Sequence, residues 1–147
     1  MKYSVQTIIN LPVDRVVELF DNPDNLPHWQ PGLQSFEHLS GEPGTPGAKS
    51  LLKYKMGKRE IEMVETILTR NLPNEFSGTY EAKGVFNIVK NSFIPITENQ
   101  TRLVTDCEFQ FSSWSMKIFG WLMPGAFKKQ SQKYSDQFKA FAEKQDG

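Results

Sequence analysis

The sequence predicts an α+β fold in which a seven-stranded, curved antiparallel sheet wraps on a long C-terminal helix and two short helices follow the first strand. Between residues 33 and 112, stretches of alternating apolar and polar residues follow one another and are joined by short turns, as in an antiparallel meander. Residues 114–144 instead repeat their apolar side chains at spacings of three, four and seven, which places them on one helical face. So long an apolar face needs a broad apolar surface, and a sheet of seven strands curls enough to provide one.

The N-terminal part predicts one strand and two short helices. Apolar and polar residues alternate over residues 3–9, as in a half-buried strand, and Ile8 breaks the pattern. Pro12 and Asp14 predict a helix start, because proline fits a first helical turn and an acidic side chain suits the positive end of the helix dipole. The Asp-Asn-Pro sequence at residues 21–23 ends this helix, and residues 24–29 fit a second short helix or a turn.

Turn signals separate six further strands. The loop at residues 41–47 contains three glycines and two prolines, which cannot hold a strand ladder. Gly57 and Gly84 mark two tight turns between alternating segments. The predicted strands are 33–40, 49–56, 59–70, 76–81, 85–94 and 101–112.

The strand at residues 59–70 allows two registers, because both of its faces carry apolar and charged residues. One register turns Ile61, Met63, Glu65 and Ile67 inward, and the other turns the residues between them inward. We favour the first register, which would place the carboxyl group of Glu65 in an apolar setting.

The C-terminal helix begins after a capping serine, either Ser112 or Ser113. Pro124 and Gly125 interrupt it. Because the proline ring presses on the carbonyl of Gly120, four residues earlier, we expect a kink or two helices in series.

Composition excludes several functional classes. The 147 residues predict one domain, residues 1–147, and the equal counts of 17 basic and 17 acidic residues argue against a nucleic-acid partner. Two histidines and the single cysteine, Cys107, are too few for a zinc site or an internal disulfide, and no cofactor motif is present. The N-terminus lacks the pattern of a signal peptide and no apolar run reaches the length of a membrane span. We therefore expect a cytoplasmic protein without metal, cofactor or stable membrane insertion; the oligomeric state is open.

The layout of the chain resembles the START-like, helix-grip superfamily, which includes the birch-pollen-allergen fold and the polyketide cyclase/dehydrase family. The resemblance rests on residues 11–21 (LPVDRVVELFD), residues 26–32 (LPHWQPG), the glycine-rich loop at 41–47, the Val64-Glu65 strand with Pro73 after it, and the closing amphipathic helix. It implies an apolar ligand held between the sheet and the long helix. Members of this superfamily cyclise or dehydrate polyketides, carry lipids, sense hormones or bind proteins, so the resemblance leaves these functions open.

The candidate ligand-binding residues are aromatic, methionine and hydroxyl-bearing side chains on the predicted inner faces, together with Glu65. The same aromatic side chains would also fill an ordinary core. We expect the small residues Gly78, Gly120 and Ser131 to leave gaps among them. The candidates are Tyr54, Met56, Met63, Glu65, Tyr80, Phe109, Phe111, Phe119, Met123 and Phe127.

Three functions follow from this interpretation. The first is binding of a hydrophobic small molecule, such as a lipid, a polyketide or an aromatic compound, in a cavity between the sheet and the C-terminal helix. The second is an enzyme of the cyclase/dehydratase type, for which Glu65 with Tyr54 or Tyr80 would be the acid–base groups. The third is a protein-interaction domain that uses the surface near Trp121, where a cavity gate, a dimer contact and a membrane contact are the alternatives.

Overall fold

The computed structural model describes residues 1–145 and contains an open, curved, seven-stranded antiparallel sheet. Its strands lie in the order β1-β7-β6-β5-β4-β3-β2, so each strand except the first pairs with its neighbour in sequence. The predicted fold class is confirmed. The strands are β1 Lys2–Ile9, β2 Leu33–Ser40, β3 Lys49–Met56, β4 Arg59–Asn71, β5 Glu75–Ala82, β6 Val85–Thr97 and β7 Gln100–Phe111.

Four α-helices complete the fold: α1 Val13–Phe20, α2 Leu26–Trp29, α3 Trp114–Leu122 and α4 Pro124–Gln145. A single 3₁₀ turn, Pro23–Asn25, links α1 and α2. The predicted C-terminal rod is thus two helices in series, because Pro124 has no N–H to donate to the carbonyl of Gly120. Ser113 caps α3 by accepting a hydrogen bond from the N–H of Met116 at 3.3 Å.

The β6–β7 hairpin is longer than its sequence predicted. β6 continues through Pro95 to Thr97, and β7 already begins at Gln100. Pro95 is tolerated because β5 pairs with β6 only as far as Asn91, so beyond that point one edge of β6 has no strand beside it among residues 1–145.

Most of the buried apolar side chains in residues 1–145 fall into two groups. One group joins α1, α2 and α4 to one end of the sheet, and its centre is the fully buried Phe138, whose neighbours include the rings of Phe20 and Trp29. The other group lies on the opposite part of the sheet around Leu52 and Tyr54. The space between the two groups is where the candidate site lies. The first group is Ile9, Leu11, Val16, Leu19, Trp29, Phe93, Leu103, Phe138 and Ala142.

Candidate functional site: a cavity between the sheet and helix α4

A cavity with a volume of about 450 Å³ lies between the concave face of the sheet and α4. Most of its walls are apolar side chains, such as Leu52 on β3, Val89 on β6 and Phe138 on α4. This volume falls within the range of roughly 300–1,000 Å³ that is typical of small-molecule pockets. The helices therefore leave the concave face of the sheet incompletely filled.

The structure places seven of the ten candidate residues in the cavity wall, and β4 adopts the register that turns Glu65 inward. Their role in ligand binding stays a prediction. These seven residues are Tyr54, Met56, Met63, Glu65, Tyr80, Phe109 and Phe127.

The other three candidates, Phe111, Phe119 and Met123, lie outside the cavity wall. Phe111 packs beneath α3, and Phe119 meets the ring of Phe127 edge-on at 5.5 Å between centroids. Met123 occupies the break between α3 and α4 and is 53 % exposed. Phe119 and Met123 were misplaced because helical periodicity alone does not give the direction of α3 relative to α4 across the break, whereas Phe111 is a strand residue whose ring is covered by α3.

The expected gaps at Gly78 and Gly120 are also absent. A Cβ atom at Gly78 would lie 3.0 Å from the carbonyl oxygen of Thr66 on the next strand. At Gly120 it would lie 2.9 Å from a ring carbon of Phe111. Both glycines thus permit close packing rather than opening space for a guest.

A row of polar side chains crosses the apolar cavity wall from strand to strand. The strand registers place one residue from each of five consecutive strands directly opposite the next, and all five line the cavity. At about 4.8 Å between strands, the row spans about 19 Å. Its members are His38 on β2, Ser50 on β3, Glu65 on β4, Tyr80 on β5 and Asn87 on β6.

The centre of this row is the pair Tyr80 and Glu65. The Tyr80 hydroxyl donates a hydrogen bond of 2.8 Å to Oε2 of Glu65. Burial raises the pKa of Glu65 above its ordinary value, and the hydrogen bond from Tyr80 opposes that rise. Burial, together with the nearby Glu65 charge, raises the pKa of Tyr80 well above its ordinary value, so the tyrosine remains the donor.

Several other polar side chains of the cavity wall are satisfied within the protein. The Tyr54 hydroxyl donates to Oε1 of Gln30 at 2.7 Å, and the Thr105 hydroxyl donates to Oδ1 of Asn91 at 2.8 Å. Burial raises the pKa of Tyr54, so its hydroxyl also stays protonated. Ser131 lines the cavity, but its Oγ lies 2.6 Å from the Tyr3 hydroxyl.

Two polar atoms in the cavity wall lack a partner among the described residues. They are Oδ1 of Asn87 and Nε1 of Trp29, and both are buried. A buried polar atom without a hydrogen bond is destabilising, so each of the two carries a free-energy cost in the folded protein. Sequence reasoning missed Asn87, Ser50 and His38 as wall residues, because their alignment depends on pairing between strands that a single sequence does not display.

Residues 1–145 contain no cluster of three or more His, Cys, Asp or Glu side chains arranged to hold a metal ion. Within the same residues, no helix is both long and apolar enough to cross a bilayer.

The sequence profile of one protein family, described as "Polyketide cyclase / dehydrase and lipid transport", matches residues 1–143. The chain belongs to this family. A comparison with curated protein sequences gave no significant match.

Solved structures with the same fold as this polyketide cyclase/dehydrase family member include two enzymes. The Zhui aromatase/cyclase from Streptomyces sp. R1128 has a TM-score of 0.82 at 12 % identity, covering 100 % of this chain and 96 % of that one. Norcoclaurine synthase from Thalictrum flavum, in complex with dopamine and hydroxybenzaldehyde, has a TM-score of 0.71 at 14 % identity, covering 96 % of this chain and 85 % of that one. A conserved protein from Geobacillus kaustophilus has a TM-score of 0.80 at 15 % identity, covering 98 % of this chain and 96 % of that one. At these identities the similarity shows the fold alone.

Proposed function

We propose that this protein binds an apolar small molecule that carries oxygen substituents along one edge, in the class of polyketides and oxygenated aromatic compounds. The observation that carries the proposal is the polar row across a mostly apolar cavity wall. Each 100 Å² of apolar ligand surface removed from water contributes about 2.5 kcal/mol, and this burial is the main source of affinity. The polar row fixes the orientation of the ligand.

The unpaired Oδ1 of Asn87 restricts the expected class of ligand further. This atom accepts hydrogen bonds and is covered by its neighbours, so a ligand hydroxyl that reaches it after a turn of the Asn87 side chain satisfies both partners. A ligand without that hydroxyl leaves Asn87 unsatisfied. We therefore expect a phenol or alcohol to bind more tightly than the matching hydrocarbon.

Dye displacement tests the proposal with a matched pair of variants. Val89 lines the cavity, whereas its neighbour Ile88 points to the other face of the same strand. Val89→Phe should weaken binding of 1-anilinonaphthalene-8-sulfonate, and its displacement by 2-naphthol, by more than about 10-fold because the added ring occupies the cavity. Ile88→Phe should leave both unchanged. Absence of saturable binding to the wild type, or equal effects of the two variants, would contradict the proposal.

An enzyme of the cyclase/dehydratase type is the second candidate, and the Glu65–Tyr80 pair favours it. A buried carboxyl group whose pKa is raised is suited to taking a proton from a carbon next to a carbonyl and returning it to a departing hydroxyl. The aromatase/cyclase and norcoclaurine synthase with this fold support it by analogy. In the structure, however, the Tyr80 hydroxyl is directed to Glu65, so polarising a substrate carbonyl requires that hydroxyl to turn.

The two candidates differ in what Glu65→Gln does. For an enzyme, the variant should bind a β-polyketone model compound as tightly as the wild type but release no cyclised or dehydrated product. For a binding protein, neither wild type nor variant should form product. Product formation by the variant at the wild-type rate would exclude Glu65 as the acid–base group.

A further inference from the structure

Helix α3 carries an apolar surface that the other residues of 1–145 leave uncovered. None of its nine residues is buried, although most of them are apolar. Trp114 is 81 % exposed, Trp121 80 % and Leu122 64 %. Ordinary soluble proteins expose single apolar side chains, but a contiguous group of this size marks an interaction surface.

The exposed residues form a stripe on one side of α3. At about 100° per residue, the side chains of Trp114, Ile118, Trp121 and Leu122 fall within an arc of about 100°. We call these four residues the α3 stripe. The opposite side of the helix faces the protein, since Gly120 lies against the ring of Phe111. The orientation of α3 is therefore set by packing on one side, and the stripe points away from the protein.

The segment that contains α3 and the first half of α4 carries lysines but no acidic residues. Between residues 109 and 135 the chain has four lysines and no Asp or Glu. All four are exposed, and none pairs with a carboxylate in the part of the chain that the structure describes. This local excess contrasts with a chain whose formal net charge is zero. The lysines are Lys117, Lys128, Lys129 and Lys133.

We infer that α3 docks on a bilayer surface that contains anionic lipid. Tryptophan is favoured at the boundary between headgroups and acyl chains, and a helix with an apolar stripe and lysines nearby in the chain lies in that plane. At about 1.5 Å per residue α3 is about 13 Å long, so it lies in the interface and does not span the bilayer. A second copy of the chain fits the surface less well, because a symmetric contact would bring eight like-charged lysines together.

Docking would place the cavity beside the lipid. Met116 of α3 lines the cavity from the side opposite to the α3 stripe, and Phe127 continues that wall after the helix break. An apolar ligand would then enter or leave the cavity next to an apolar phase instead of crossing water. The docking itself is independent of which ligand the cavity takes.

Vesicle flotation tests the inference with the full chain. Wild-type protein should partition to vesicles of phosphatidylcholine with phosphatidylglycerol, weakly to phosphatidylcholine alone, and less as salt shortens the Debye length from about 10 Å at 0.1 M to about 3 Å at 1 M. Lys128→Gln with Lys129→Gln should lower the partition coefficient about 30-fold, at roughly fivefold per lysine. Trp114→Ser with Trp121→Ser should lower it by more than about 10-fold.

Control variants separate docking from general surface effects. Leu68 is an exposed apolar residue of β4, and Lys58 is an exposed lysine in the β3–β4 turn. Leu68→Ser and Lys58→Gln should leave partition unchanged. Because Trp114 and Trp121 are exposed, their double variant should keep the wild-type melting temperature and dye binding, which shows that the fold and the cavity are intact.

Several results would overturn the inference. The inference fails if the wild type does not bind anionic vesicles, or if it binds vesicles with and without anionic lipid equally. It also fails if the tryptophan double variant partitions to vesicles as strongly as the wild type. Self-association in sedimentation experiments that the tryptophan variant abolishes, without vesicle binding, would show that a second copy covers α3 instead. If the wild-type protein binds vesicles but shows no saturable binding of the dye, only the proposed cavity function is contradicted.

Discussion

Replacing Glu65 by glutamine should change how the stability of the protein depends on pH. In the folded protein, burial raises the pKa of Glu65 above its ordinary value of 4.5. Below pH 4.5 both the folded and the unfolded chain hold this proton, so Glu65 adds no pH dependence there. Between 4.5 and the raised pKa only the folded chain holds it, and the free energy of unfolding therefore falls as the pH rises. Above the raised pKa, Glu65 is ionised in both states and no longer makes the free energy of unfolding depend on pH.

The size of this effect follows from the linkage of one proton. Across the window, wild-type stability falls by about 1.4 kcal/mol for each pH unit relative to Glu65→Gln. Glutamine keeps an oxygen that accepts the Tyr80 hydrogen bond, so the variant should remain folded. The free energy of unfolding of Glu65→Gln should therefore rise relative to that of the wild type as the pH is raised from 4 to 8.

Urea unfolding of both proteins at a series of pH values measures the difference. Glu60→Gln is the control, because Glu60 is an exposed residue of the same strand and its replacement should change stability by less than about 0.5 kcal/mol at every pH. A difference between wild type and Glu65→Gln that stays constant from pH 4 to 8, or that falls as pH rises, would refute the assignment of Glu65 to a buried, desolvated position.

Three further substitutions test the packing and hydrogen bonds around the cavity by urea unfolding. Tyr80→Phe removes the donor to Glu65 and should cost about 1.5–3 kcal/mol at pH 8, where Glu65 is more ionised, but less at pH 4; an equal cost at both pH values would argue against the bond. Phe138→Ala empties a fully buried site between α4 and the sheet and should cost about 3–5 kcal/mol, whereas a cost below about 1 kcal/mol would mean that Phe138 is not packed there. Thr101→Val should cost about 1–3 kcal/mol, because the buried hydroxyl donates to the carbonyl of Leu11 at 2.9 Å; a neutral result would contradict that contact.

The fold was accessible from the sequence because its signals are local. The alternation in β1 matches a strand that buries Val5 and Ile9 and exposes Ile8, the residue that breaks the pattern. Pro124 marks the end of α3 because a proline removes one helical hydrogen bond wherever it occurs. The length of the β6–β7 hairpin was underestimated, since whether a strand tolerates Pro95 depends on the neighbouring strand.

The candidate site was only partly accessible, because its geometry arises between elements. Period-two patterns identified Tyr54 and Tyr80 as inward residues, but they give no information on which residues of other strands lie opposite. The polar row depends on register across five strands, so Asn87 and Ser50 were missed. Phe119 was misplaced because the rotation of α3 relative to α4 is set by the contact of Gly120 with Phe111, not by helical periodicity.

We propose that the space between the sheet and α4 holds a small apolar molecule. Native mass spectrometry of the protein, purified from its natural host without denaturation, tests this claim. We expect the 16.9 kDa chain together with one bound small molecule, and we expect Val89→Phe prepared in the same way to lose that molecule while Ile88→Phe keeps it. The bare chain mass in every preparation, or an adduct that Val89→Phe retains in full, would contradict the claim.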